Sequence, residues 1–126
     1  MTWPSLTAAE LLAELTRHLD ELMPQANILR REIHRHPDLG YGERATVDRL
    51  RKAMPGMKVT RVADTGFLTR VGAPTGPAVA VRAELDALPL TEETGVPWAS
   101  VIPEVMHACG HDVHMAATWA LLQAAR

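Results

Sequence analysis

His107-Ala108-Cys109-Gly110-His111-Asp112-Val113-His114 gathers three histidines and the only cysteine of the chain into one short stretch. Thiolate and imidazole are the softer metal donors among the side chains and suit zinc and other late first-row divalent ions. Upstream, Arg82-Ala83-Glu84-Leu85-Asp86-Ala87-Leu88-Pro89 places two carboxylates at the end of an apolar run. Glu84 and Asp86 are two apart, so a strand continuing through them turns both to one face. Carboxylates delivered beside a Cys/His loop make the donor set of a metal-hydrolase active site. Cys109 alone would read as a buried structural thiol, because free cysteine is among the most buried residue types. With Gly110, His111 and Asp112 directly after it, Cys109 reads as half of a ligand pair with His111. His107 and His114 stay open between bonding a neighbour and touching substrate. A structural zinc knuckle fits poorly, since such sites draw ligand pairs from separated segments.

Several elements must position these groups. Thr7-Ala8-Ala9-Glu10 is a capping box, and Leu12, Leu15, Leu19 and Leu22 follow at helical spacing. Pro24 is expected to end or kink that helix. A second helical stretch carries Ala26, Leu29 and Ile33 and must stop near His36, because Pro37 disfavours helix in the residue before it. Asp38 to Gly42 reads as a turn. Glu43 to Met54 is expected to be a third helix, with Val47, Leu50 and Met54 buried, closed by Pro55-Gly56. Met57 to Ala63 and Phe67 to Val71 read as short strands. Ala78-Val79-Ala80-Val81-Arg82-Ala83 is nearly continuous in its apolarity, as in a strand buried on both faces. A last helix is expected over Val113 to Ala125, with Asp112 as its N-cap and Met115, Thr118, Leu122 and Ala125 along one side.

Residues 84–111 separate that strand from the last helix and hold Pro89, Pro97 and Pro103. Loops longer than about 12–15 residues inside a compact domain are often functional. In open α/β sheets the reactive groups collect at the carboxyl ends of strands, where Glu84 and Asp86 stand. Helices on both sides of strands give an α/β class with helices packed on a mixed sheet.

Composition narrows the function. The 126 residues are 47% hydrophobic and 22% charged, a globular balance. A formal charge of −2 gives no basic face for nucleic acid, and no apolar stretch is long enough to span a bilayer. Leu11 to Leu22 is broken by Glu14, Arg17 and Asp20, unlike a secretory signal. One cysteine cannot close an internal disulfide, so a reducing cytoplasm is expected.

Three ordered motifs carry a resemblance. They are Arg31-Glu32-Ile33-His34-Arg35-His36-Pro37-Asp38-Leu39-Gly40 with Glu43 and Thr46, then Arg82 to Pro89, then Met106-His107-Ala108-Cys109-Gly110-His111-Asp112. Together they resemble the amino-terminal part of M20-type metallo-amidohydrolases. The nearest subgroup holds hippurate hydrolases, N-acyl-amino-acid amidohydrolases and auxin-conjugate hydrolases. Residues 1–25 are expected to form an amino-terminal helix outside the resemblance, which implies 26–126 as the first part of a di-metal, peptidase-like catalytic domain. It implies two divalent ions, manganese or zinc, with a bridging water that attacks an amide carbonyl. Cys109 and His111 would be metal ligands and Asp86 the carboxylate that orients a ligand. Glu84 stands where the subgroup shows aspartate or glutamate. The family's general-base glutamate, its later histidine ligands and its lid domain have no counterpart in these residues, so this chain alone is expected not to turn over substrate.

The expected substrate is an N-acyl or N-aroyl amino acid, with a homo-oligomer or a complementary chain as open partners. The alternative is a non-catalytic metal-binding or interaction remnant that pairs with a second polypeptide. Elsewhere the plain readings stand. His34 and His36 are structural or surface groups, and Arg30, Arg31 and Arg35 form a solvated face. Met106 and Met115 fill gaps, and Trp98 either lines an acyl pocket or packs half-buried.

Overall fold

A computed structural model describes residues 6–126. Its first element is helix α1, Ala8–Arg35. The capping box forms as the sequence requires: the Thr7 N–H donates to Glu10 Oε2 at 2.8 Å and the Glu10 N–H donates to Thr7 Oγ1 at 3.3 Å. Pro24 does not end the helix, which runs on through it for three further turns. The missing N–H of Pro24 leaves the Asp20 carbonyl without its intrahelical donor, but both residues are exposed and water can take that carbonyl. The two expected helical stretches are therefore one rod. Leu19, Leu22, Ala26, Leu29 and Ile33 supply its inner face, whereas Leu12 stays 64% exposed.

Helix α2, Arg44–Lys52, is shorter than expected at both ends. Its first turn is held from outside, where the Asp38 carboxylate accepts the Thr46 N–H at 2.7 Å and the Thr46 hydroxyl at 2.9 Å. Leu50 and Met54 are buried, and Val47 is half-buried. Strands β1, Val59–Val62, and β2, Gly66–Thr69, form an antiparallel hairpin with Val59 opposite Thr69. Phe67 reaches the core from it.

The expected strand at 78–83 does not form. A strand exists through its ladder, and no described segment offers one to residues 78–83. Val79 is 94% exposed and Val81 56%. Pairing begins only further on, where Ala87 bridges Leu39 in parallel and Leu88 bridges Met106 antiparallel. The class remains α/β, with three helices and one hairpin among the described residues, where the mixed pairing is confined to those two isolated bridges.

Helix α3, His111–Ala124, closes the fold and makes the main helix–helix contact with α1. Its N-cap is Gly110, not Asp112. Gly110 has φ 80°, a left-handed conformation that disfavours a side chain even though nothing lies near its would-be Cβ. The buried side of α3 is also turned from the side picked out by the sequence. Met115, Ala116, Trp119, Ala120 and Ala124 are buried, while Thr118 and Ala125 are only partly so. Three small alanines on that side allow α1 to approach closely, and the Trp119 indole N–H donates to the Ala53 carbonyl at 2.9 Å.

Candidate metal centre

The pairing after residue 84 sets the site. The Ala87 N–H donates to the Asp38 carbonyl at 2.8 Å, and Leu88 and Met106 exchange two backbone bonds of 2.9 and 3.0 Å. This pins the segment carrying Glu84 and Asp86 against the first turn of α3. There His111 and His114, three apart, share one helix face, with ring centroids 5.7 Å apart.

Among the described residues, Glu84, His111 and His114 bring one ligand atom each to within 4.8 Å of one another. A tetrahedral ion with bonds of about 2.1 Å would draw such donors to about 3.4 Å apart, a small closure for half-exposed side chains. One carboxylate with two imidazoles is a donor set that suits zinc or manganese. The His111 ring is oriented from behind, by a residue outside the three donors. The His111 Nδ1–H donates to the Asp86 backbone carbonyl at 2.9 Å, with the Asp86 carboxylate 3.2 Å away. His114 Nδ1 donates to Glu84 Oε2 at 3.1 Å. For His111 this leaves Nε2 as the lone pair, the arrangement metal-binding histidines adopt when a carboxylate or carbonyl fixes the other nitrogen; His114 is paired instead with Glu84, a member of the donor group. The hydrogen bond from His114, aided by a backbone N–H and by Arg82, holds the Glu84 carboxyl below the usual carboxylate range.

Behind this face lies a buried ionic cluster. Asp112 is 1% exposed and accepts from Arg30 Nε and from His34 Nδ1, both at 2.8 Å. His34 Nε2 faces Glu92 at 3.1 and 3.2 Å. Glu92 also accepts the Ser100 N–H at 2.6 Å and the Thr94 hydroxyl. Burial raises the pKa of Glu92, but the Ser100 N–H, Thr94 and His34 outweigh it and hold the carboxyl below its ordinary value. His34 is thus structural, as expected. Of the expected solvated arginine face, Arg31 and Arg35 are exposed, though the Arg31 guanidinium stacks 4.1 Å over the Trp98 ring and Arg35 donates to the Pro97 carbonyl at 3.0 Å, while Arg30 turns in to Asp112. Trp98, half-buried, packs under Arg31, so these cations tie the long connection to α1.

Residues 80–126 match the sequence model of Peptidase family M20/M25/M40. A protein of Rhodococcus jostii bearing the name of a glutamate–cysteine ligase is 46% identical over 88 residues, covering 68% of this chain and 11% of that protein. The N-acyl-L-amino acid amidohydrolase of Geobacillus stearothermophilus is 37% identical over 107 residues, 82% of this chain and 29% of the amidohydrolase. The YXEP protein of Bacillus subtilis, described as a dinuclear metal binding peptidase of the M20 family, superposes with TM-score 0.69 at 34% identity. That superposition covers 89% of this chain and 31% of YXEP. This chain belongs to the M20 family. It spans less than a third of each of these relatives and resembles the amino-terminal portion of its amidohydrolases.

The M20 match contains every sequence candidate: Asp86, Cys109 and His111, with Glu84 and His114 beside them. Asp86 and His111 are brought together. Cys109 is exposed, on the loop just before α3 and outside the three-donor group. His107 is buried with no hydrogen-bond partner on either ring nitrogen, and burial pushes its imidazole below the ordinary histidine value. The sequence reading missed Glu92 and the true role of Asp112. Arg30 and His34 lie four apart and so share a helix face, which was legible; their partner 78 positions beyond His34 was not.

Proposed function

We propose that this chain supplies the first metal-binding elements of an M20 amide hydrolase acting on N-acyl or N-aroyl amino acids. The observation that carries the reading is His111, whose Nδ1 is held by Asp86 and which stands within ligand reach of Glu84 and His114. Cys109 and His111 are the proposed ligands, with Glu84 and His114 able to complete or adjust the set. Asp86 is the orienting carboxylate. Two divalent ions, manganese or zinc, would supply Lewis acidity toward the amide carbonyl and a water made nucleophilic near neutral pH. In the reaction the C–N bond breaks, hydroxide adds to the acyl carbon and a proton passes to the leaving nitrogen, giving a carboxylate and a free amino acid. That proton needs a shuttle, and the carboxylates described here are already committed: Glu84 to His114, Asp86 to His111, and Asp112 and Glu92 to the buried cluster. The 126 residues alone are therefore proposed to bind metal without turning over substrate.

The test is release of amino acid from N-acetyl- and N-benzoyl-amino acids with manganese or zinc, by the intact protein and by the 126-residue chain. Hydrolysis by the intact protein only is expected. Hydrolysis by the short chain would overturn the assignment of an incomplete site, and none by either would overturn the activity. Exposed Val79 and Val81 favour a second reading, a non-catalytic remnant that pairs with another polypeptide through this open run. Metal binding without hydrolysis, in the presence of a copurifying second polypeptide, would support it.

A further inference from the structure

We infer that His34 is a positioning residue for the metal centre, fixing the two halves of the site relative to each other through the buried cluster. The inference rests on the metal-site reading given above. The halves come from different segments: Glu84 and Asp86 open the 84–111 connection, and His111 and His114 open α3. His34, on α1, contacts both. Nδ1 meets Asp112, the residue between the two site histidines, at 2.8 Å, and Nε2 meets Glu92, in the middle of the connection, at 3.1 Å. His34 is 5% exposed, so water does not compete for these bonds.

The first turn of α3 depends on this tether. Its cap is Gly110, which offers no side chain to the free N–H groups. Asp112 stands in for one electrostatically, an anion in the first turn facing the positive end of the helix. Asp112 turns inward to Arg30 and His34, on the side of the helix away from His111 and His114. His111 is gripped from the other side by Asp86. A shift of the turn on loss of the inner grip moves both imidazoles against Glu84 at once. Arg30 alone does not replace His34, because it reaches Asp112 but has no bond to Glu92.

The test is cobalt(II) titration of the intact protein, read by d–d absorption and scaled to the folded fraction from circular dichroism. The variants are His34→Ala, His34→Gln and a core control, Met115→Ala. Removing a group bonded to a ligand typically weakens metal binding by about tenfold to a hundredfold; His34 acts one step further back, through Asp112, so His34→Ala is expected at the tenfold end with altered bands. His34→Gln keeps an amide donor and is expected to recover part of the affinity. Met115→Ala is expected to lower the melting temperature while leaving cobalt affinity and bands as in the wild type. Unchanged affinity in His34→Ala, or equal weakening in Met115→Ala, would overturn the inference. Absence of cobalt binding by the wild type would instead overturn the metal-site reading on which it rests.

Discussion

His111 is defined by what lies behind it. A histidine whose Nδ1 is held by a carbonyl and a carboxylate presents Nε2 in one direction, which lowers the entropy lost on binding an ion. Asp86→Ala is expected to weaken metal binding by about tenfold, the lower end of the range for such partners, because the backbone carbonyl of residue 86 remains. Isothermal titration with zinc measures it. His107 gives a prediction of opposite character. Its buried, unpartnered ring is held neutral, below its ordinary value. The unfolded chain takes up that proton at about pH 6.5 while the folded chain does not, so stability is full above that pH. It declines as pH falls from there toward the lower folded value. Thermal melts at pH 7.5, 6.5 and 5.5 should show the decline, and His107→Leu should flatten it. Spacing suggested Cys109 and His111 as a pair, but of the two only His111 joins the donor group. Asp112 was not, because its short side chain two residues past Gly110 suits an N-cap as well as it suits a buried ion pair.

At the scale of elements, α1 and α3 show how packing overrides local signals. Pro24 is a stop signal, yet the continuous apolar face from Leu19 to Ile33 holds one helix through it. Pro24→Ala should stabilise the fold by about 1–3 kcal/mol, less than the full helix penalty of proline because proline also restricts the unfolded chain. Chemical denaturation measures it. Gly110→Ala should cost about 1–2 kcal/mol, the penalty for a left-handed residue, with no steric clash to add. The two strands were readable from their β-branched residues, although Gly66, left outside them, is the first residue of β2, and α2 was readable from its flanking turns. The buried side of α3 was hard to read because alanines carry little periodic signal, and Trp119 was passed over in favour of Thr118.

The whole molecule explains the largest departure from sequence expectation. The run 78–83 has the composition of a strand covered on both faces, but composition reports the environment a segment suits and a ladder requires neighbours. The chain spans 29% of the Geobacillus amidohydrolase and 31% of YXEP, while Val79 and Val81 lie open. Replacing both valines by lysine in the 126-residue chain should reduce self-association in sedimentation velocity without lowering the melting temperature. The three donors Glu84, His111 and His114, by contrast, need only α3 and the pinned segment after residue 84, which is why they converge. The most direct test of the account is zinc and manganese titration of the intact protein against its Cys109→Ser and His111→Ala variants. The account predicts tight binding by the wild type and a marked loss in each variant that keeps its fold. Metal affinity unchanged in both variants would contradict it.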